Sequence, residues 1–172
     1  MGRIYTRTGD QGMTANYAGE RIPKDDKAIV IAGLLDSFQA AIDLAISFLG
    51  IDQLQLHIKQ DLQNIQDRLW QMAGELSLCS LGKNVKQPIT GEDVAMLERI
   101  IDSLGDTPEK FVRFTLHAAA FLNEARVRCR ALESALTPLL REHKIRQDVY
   151  QYLNRLSDTL FMMAYAVQTA TR

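Results

Sequence analysis

The residues that could carry chemistry are concentrated at the start of the chain, in Tyr5-Thr6-Arg7-Thr8-Gly9-Asp10-Gln11-Gly12-Met13-Thr14, with Lys24-Asp25-Asp26 ten residues further on. Three threonine hydroxyls, two glycines, an arginine and an aspartate leave no hydrophobic periodicity, so the stretch is predicted to be a loop and not a core element. Glycines 9 and 12 let the backbone come close to a ligand, and threonine hydroxyls and free backbone N–H groups are the donors an oxyanion needs. Lys24 would add a point charge. A phosphate is the guest this chemistry suits. The pattern is not the Gly-x-x-x-x-Gly-Lys-Ser/Thr loop, the composition would also suit a frayed chain end, and Lys24 would also suit a salt bridge to Asp25 or Asp26 at a helix start.

A second polar set falls in segments of helical pattern. Arg126, Arg130 and Glu133 are spaced four and three apart and share one face, with Asn123 a turn before them, whereas Arg128 falls about 200° away from Arg126. The stripe runs beside Ala125, Cys129 and Leu132, at the edge of an apolar face, where a half-buried guanidinium needs an anion or a carboxylate. Asp36 is one candidate, because Ala32, Gly33 and Ala40 around it are small enough for another helix to approach. A solvated basic face is the alternative. Asn154 and Asp158, at i and i+4 beside Leu153 and Leu156, offer donors and acceptors for a ribose, a base edge or a phosphate, and each would also suit a plain surface position. His57, His117 and His143 lack metal-ligand spacing, so no metal site is read. No nucleophile stands beside a base. Catalysis by such a chain rests on positioning and electrostatics, with the reactive group brought by a substrate or cofactor.

The elements that must position these residues are helical. Ile31, Leu34, Leu35, Phe38, Ile42, Ala45, Ile46 and Leu49 recur at three and four and end at Gly50. Asp52 is expected to cap a second helix carrying Ile58, Leu62, Ile65, Leu69, Met72 and Leu76, broken at Leu81-Gly82-Lys83 and paired back on the first. Thr90 caps a short helix with Val94, Leu97, Ile100, Ile101 and Leu104, closed by Gly105. A fourth runs from about Leu116 until Pro138 ends or kinks it; after a basic linker, Arg141 to Arg146, a fifth carries Val149, Leu153, Leu156, Leu160, Met163, Ala164 and Val167. No alternating β-branched segment competes. The expectation is an all-α single domain spanning 1–172, a bundle of four long helices and one shorter one, led by a loop over 1–23.

The totals agree with a soluble globular domain: 172 residues, 47% hydrophobic and 24% charged. A net charge of -1 supplies no field to collect nucleic acid or an anionic membrane, so any anion site must be local. Cys79 and Cys129 lie far apart in apolar helical segments, as buried reduced thiols of a cytosol would. With no signal-peptide run and no uninterrupted apolar stretch of roughly 18 residues, the expected location is the cytoplasm.

Taken together, the motifs resemble the PduO-type ATP:corrinoid adenosyltransferases. The resemblance rests on Thr-Arg-Thr-Gly-Asp-x-Gly, Gly19-Glu20-Arg21, Lys24-Asp25-Asp26, Ile65-Gln66 through Gly74-Glu75-Leu76, Ile89-Thr90-Gly91-Glu92-Asp93, the Arg126 to Glu133 stripe and Tyr152-Leu153-Asn154-Arg155-Leu156-Ser157-Asp158. It implies a ferritin-like helical bundle that transfers the 5'-deoxyadenosyl group of ATP to the Co(I) of a reduced corrinoid, releasing triphosphate. It further implies an ATP site of Thr6, Arg7, Thr8, Gly9, Thr14, Lys24, Arg130, Glu133 and Asn154, with Mg2+ held mainly by the ATP phosphates. Asp36 would pair with Arg126 to shape the pocket, and Arg130, Asp36 and Arg126 would serve catalysis. Phe111 would lie under the corrin ring, displacing the lower axial ligand. The family's active sites lie between subunits of a homotrimer, and a corrinoid reductase or an adenosylcobalamin-dependent enzyme would be a further partner.

The chain departs from the family in places. Arg113-Phe114-Thr115 stands where a Leu-Pro-Gly-Gly segment is usual, Ala131 replaces a second arginine, and the usual Asp-Glu-Leu-Asn is Asp36-Ser37-Phe38-Gln39. Beside a working transferase, the sequence leaves open an ATP-binding corrinoid carrier or sensor and a structural helical oligomer.

Overall fold

A computed structural model describes residues 4–79 and 85–170. Five helices follow a short hairpin: α1 (Lys27–Phe48), α2 (Gln53–Cys79), α3 (Gly91–Ser103), α4 (His117–Arg141) and α5 (Gln147–Ala170). Four are long and α3 is short, as the periodicities predict. α1 starts where the Asp26 carboxylate accepts a hydrogen bond from the Ala28 N–H at 2.9 Å, and Asp52 does the same for the Gln55 N–H at 3.0 Å before α2. Ahead of α3, the Asp93 carboxylate accepts from both the N–H and the hydroxyl of Thr90, at 2.7 and 2.9 Å. The break expected at Leu81-Gly82-Lys83 and the side chain of Cys79 lie outside the described residues.

Two expectations are corrected. The leading segment is not loop throughout: β1 (Met13–Ala15) pairs antiparallel with β2 (Arg21–Pro23), Thr14 opposite Ile22. Pro138 neither ends nor replaces the last turn of α4, which runs on to Arg141. Proline at 138 has no N–H for the Ser134 carbonyl, and the helix continues for only three residues beyond it. The Thr137 hydroxyl donates to the Glu133 carbonyl there at 3.2 Å. The true stop is His143, in the left-handed region at φ 54, with its own N–H on the Leu140 carbonyl and the Lys144 N–H on the Leu139 carbonyl.

The buried residues of α1, α2, α4 and α5 form one core, and α4 lies between α1 and α5, which α3 and α2 flank. A polar clamp holds the connection before α3. Glu75, only 1% exposed, accepts from the Ile89 N–H at 3.0 Å and from Arg146 Nε at 2.6 Å. Arg68 reaches both the Pro88 carbonyl and Asp93. Desolvation works to raise the Asp93 carboxyl, but its bonds from Thr90 and Arg68 outweigh that and hold it below the ordinary value of 3.8.

α1 has more apolar surface than this bundle uses. By length and composition it would cross a membrane, yet only 39% of its most apolar window is buried. Val30, Leu44 and Phe48 are exposed on it, and nothing lies within 4 Å of a Cβ built on Gly33. Ala32 and Ala40 are exposed on the same helix.

Candidate active site

The hairpin folds the leading segment into a polar cradle. Its turn is built by Asn16, whose Oδ1 accepts from the N–H groups of Ala18 and Glu20, both at 2.9 Å, while Gly19 takes φ 83. Upstream, Gly12 at φ 76 turns the chain so that its carbonyl accepts from the Lys24 N–H at 2.8 Å. Arg21 donates to the Thr8 carbonyl, and the Thr6 and Thr8 hydroxyls lie 2.9 Å apart. Lys24 then arches over Gly9 so closely that a Cβ there would be 3.1 Å from its Nζ. Thr6 thus meets Thr8, and Lys24 meets Gly9 in the next position of the chain. Arg7 takes a left-handed φ of 61 and rests its guanidinium 5.6 Å from the Tyr5 ring centre. Asp26 is spent on capping α1, and no described carboxylate pairs with Lys24 or Arg7.

On α4 and α5 the predicted stripe is present with altered partners. Glu133 is buried and accepts from Asn154 Nδ2 at 2.9 Å, so the two form one polar unit across the helix pair. Arg126, half-buried, donates from Nε to Asn123 Oδ1 at 2.9 Å. Arg130 is exposed, not half-buried as its neighbours suggested, and meets no described carboxylate. Arg128 points elsewhere, as expected, pairing with Glu124 at 2.8 Å and donating to the Ser37 hydroxyl of α1. Asp158 pairs with Arg155 at 3.2 Å. Cys129 lies beneath the stripe with its thiol on the Leu153 carbonyl; burial pushes it far above its ordinary pKa, so it is no nucleophile.

Asp36 and Arg126 do not meet within one chain. Asp36 lines a cleft of ≈ 370 Å³ between α1 and α2 with Asp43, Asp67 and Trp70, whereas Arg126 lines a different one. That second cleft, ≈ 820 Å³, lies under the connection from α3 to α4 and contains Phe111, which is fully exposed. Gln168 pins the connection: its Oε1 accepts from the Thr115 and Leu116 N–H groups at 2.7 and 3.2 Å. Sequence reasoning missed Gln168, since a glutamine near a helix end carries no pattern of its own. Among the described residues no group of three His, Cys, Asp or Glu side chains could hold a metal ion.

The hairpin strands contact each other and none of the helices, and among the described residues no hydrogen bond or ion pair joins Thr6, Thr8, Gly9 or Lys24 to Arg130 or Asn154. Residues 4–167 match the cobalamin adenosyltransferase family. The chain belongs to that family. It is 37% identical to a corrinoid adenosyltransferase of Citrobacter freundii over 98% of this chain and 97% of that protein. It is 31% identical to one from Bacillus subtilis, covering 96% and 86%. It spans about half the length of the PduO protein of Salmonella typhimurium, 49%, at 34% identity. Among solved structures, a variant PduO-type ATP:corrinoid adenosyltransferase from Lactobacillus reuteri, complexed with cobalamin and ATP, superposes with a TM-score of 0.83 at 26% identity, over 96% of this chain and 91% of that one. As a cobalamin adenosyltransferase, the chain is an enzyme whose substrates are ATP and a corrinoid, and its all-helical bundle is that of its relatives.

Proposed function

We propose that this transferase carries out the transfer at a site shared between copies of the chain, in which the hairpin cradle of one copy holds ATP against the α4–α5 stripe of another. The observation that carries this reading is that two sets of candidate phosphate-binding groups, with no carboxylate on Lys24 or Arg130, share no hydrogen bond or ion pair among the described residues. The open small-residue face of α1 supports it, and in a homotrimer Asp36 of one copy would reach Arg126 of the next.

In the transfer, the electron pair of Co(I) forms the bond to C5' of ATP while the bond from C5' to the triphosphate oxygen breaks, so no protein nucleophile is needed. Thr6, Thr8, the Gly9 backbone and Lys24 would hold the phosphates with Arg7, and Thr14 would steady the strand beneath them. Mg2+ would be carried by the phosphates. Arg130 would stabilise the charge that grows on the leaving triphosphate, and the Glu133–Asn154 unit would orient the nucleoside. Phe111 would cover the lower corrin face. The buried, unpaired Cys129 thiol supports a reducing compartment, the cytoplasm.

The test mixes Lys24→Ala and Arg130→Ala variants, each inactive alone, after dissociation and reassembly with MgATP and chemically reduced cobalamin. A shared site predicts partial recovery of adenosylcobalamin and triphosphate formation, because some sites receive both intact halves. No recovery, or a monomer at working concentration, would sink the shared site. Nucleotide binding without product in the unaltered protein would favour a carrier.

A further inference from the structure

The cleft around Phe111 is charged in a way that neither ATP nor the corrin ring accounts for. Its floor is apolar and fixed, with the rings of Phe114 and Phe161 edge to face at 6.0 Å between centres. Its lining nevertheless includes three cations, Lys110, Arg113 and Arg126, against the single carboxylate Glu109, and with Arg126 assigned to Asp36 of a neighbouring copy, Lys110 and Arg113 still outnumber it. None of the three is ion-paired among the described residues. Arg126 already spends its Nε on Asn123. Arg113 is exposed, and its backbone is anchored just beyond it, by the Phe114 ring on Phe161 and by the Thr115 N–H on Gln168. Arg113 thus lines the cleft from a backbone anchored on its C-terminal side, and a guanidinium can grip an anion with two parallel bonds.

The peripheral side chains of a complete corrinoid are neutral amides. Its fixed negative charge is the phosphodiester of the nucleotide arm. We propose that Arg113 is a specificity residue, gripping that phosphodiester and so favouring corrinoids that carry the nucleotide arm over those that end before it. This rests on the reading that the Phe111 cleft takes the corrinoid.

The test compares steady-state adenosylation of reduced cobalamin and of reduced cobinamide, which lacks the phosphate, by the unaltered protein, Arg113→Ala, Arg113→Lys and the remote exposed Arg141→Ala. Arg113→Ala should raise the KM for cobalamin by about two- to fivefold, the range of a solvent-accessible charged contact, while kcat and the KM for cobinamide stay put. Lysine should recover part of the difference, and added salt should weaken cobalamin use more than cobinamide use in the unaltered protein. Arg141→Ala should change neither KM. Equal effects of Arg113→Ala on both corrinoids, no effect on either, or a rise in the KM for ATP would each overturn the assignment. If the unaltered protein turns over neither corrinoid, the corrinoid reading of the cleft fails, and this proposal with it.

Discussion

Arg128 and Arg130 are two positions apart on α4, with the same charge and opposite surroundings, so removing each should damage a different property. Arg130 is exposed and meets no described carboxylate. Its loss to alanine should cost stability no more than about 0.5 kcal/mol, as for an ordinary surface substitution, or about 1 to 2 °C in Tm for a domain of this size. Arg128 has an i,i+4 ion pair to Glu124 at 2.8 Å and a bond to Ser37 that ties α4 to α1. An exposed helical pair is worth about 0.3–0.5 kcal/mol and a hydrogen bond about 0.5–1.5, so Arg128→Ala should lower stability by about 1 to 2 kcal/mol, or about 2 to 8 °C. Turnover should show the reverse. If Arg130 stabilises the departing triphosphate, its loss should cut kcat about 100- to 1,000-fold, as removal of a preorganised oxyanion donor does, and lysine should restore only part. Arg128→Ala should stay within about threefold, given what an exposed charge contributes. The assays are the spectral conversion of reduced cobalamin at saturating corrinoid and calorimetric melting at one protein concentration. Similar small rate losses for both, or a larger Tm drop for Arg130→Ala than for Arg128→Ala, would refute the reasoning.

Gly9→Ala places a methyl 3.1 Å from Lys24 Nζ, at the flexible end of a side chain that can swing aside; Tm should hold while the KM for ATP rises about tenfold, the worth of one lost charged hydrogen bond, and an unchanged KM would remove Lys24 from the phosphate site. Asp93→Ala should lower Tm at neutral pH. Because the folded carboxyl lies below 3.8, its stabilisation is present above that pH and is lost as pH falls through the folded value. The gap between parent and variant should therefore close below about pH 4, and a gap that persists in acid would show that packing, not charge, is what the variant loses. For Asp36→Asn and Arg126→Ala, a thermal double-mutant cycle should show coupling in the assembled protein, since the two would meet only across copies; strict additivity would separate them.

The helices were legible because burial needs apolar residues every three or four positions, and Ile31 to Leu49, Ile58 to Leu76 and Val149 to Val167 supply them without interruption. The hairpin was not, because its strands have three residues each and no alternation; the usable signal was Asn16 followed by Gly19, a turn closed by the Asn side chain. Of the two outcomes expected at Pro138, an end or a kink, the end is the one the structure rules out, because α4 runs on to Arg141. Along the polar stripe of α4, Arg126 is half-buried, bonded to Asn123 in a cleft shared with Phe161 of α5, while Arg130 one turn on is exposed. Asp36 and Arg126 could be named as a pair from the resemblance, while periodicity within one chain holds no information about a neighbouring copy.

The isolation of the hairpin from its own helices has a thermodynamic corollary. If the proposed shared site holds, a nucleotide gripped by one copy's cradle and another copy's arginine would bind the assembly and not the separated chains, linking nucleotide affinity to subunit affinity. Saturating ATP should hold the chains together at dilutions where the free protein separates, and the same dilution should make ATP bind more weakly. Each copy would then hold its neighbour most firmly while substrate is present, and the release of triphosphate would loosen the contact that made its release possible.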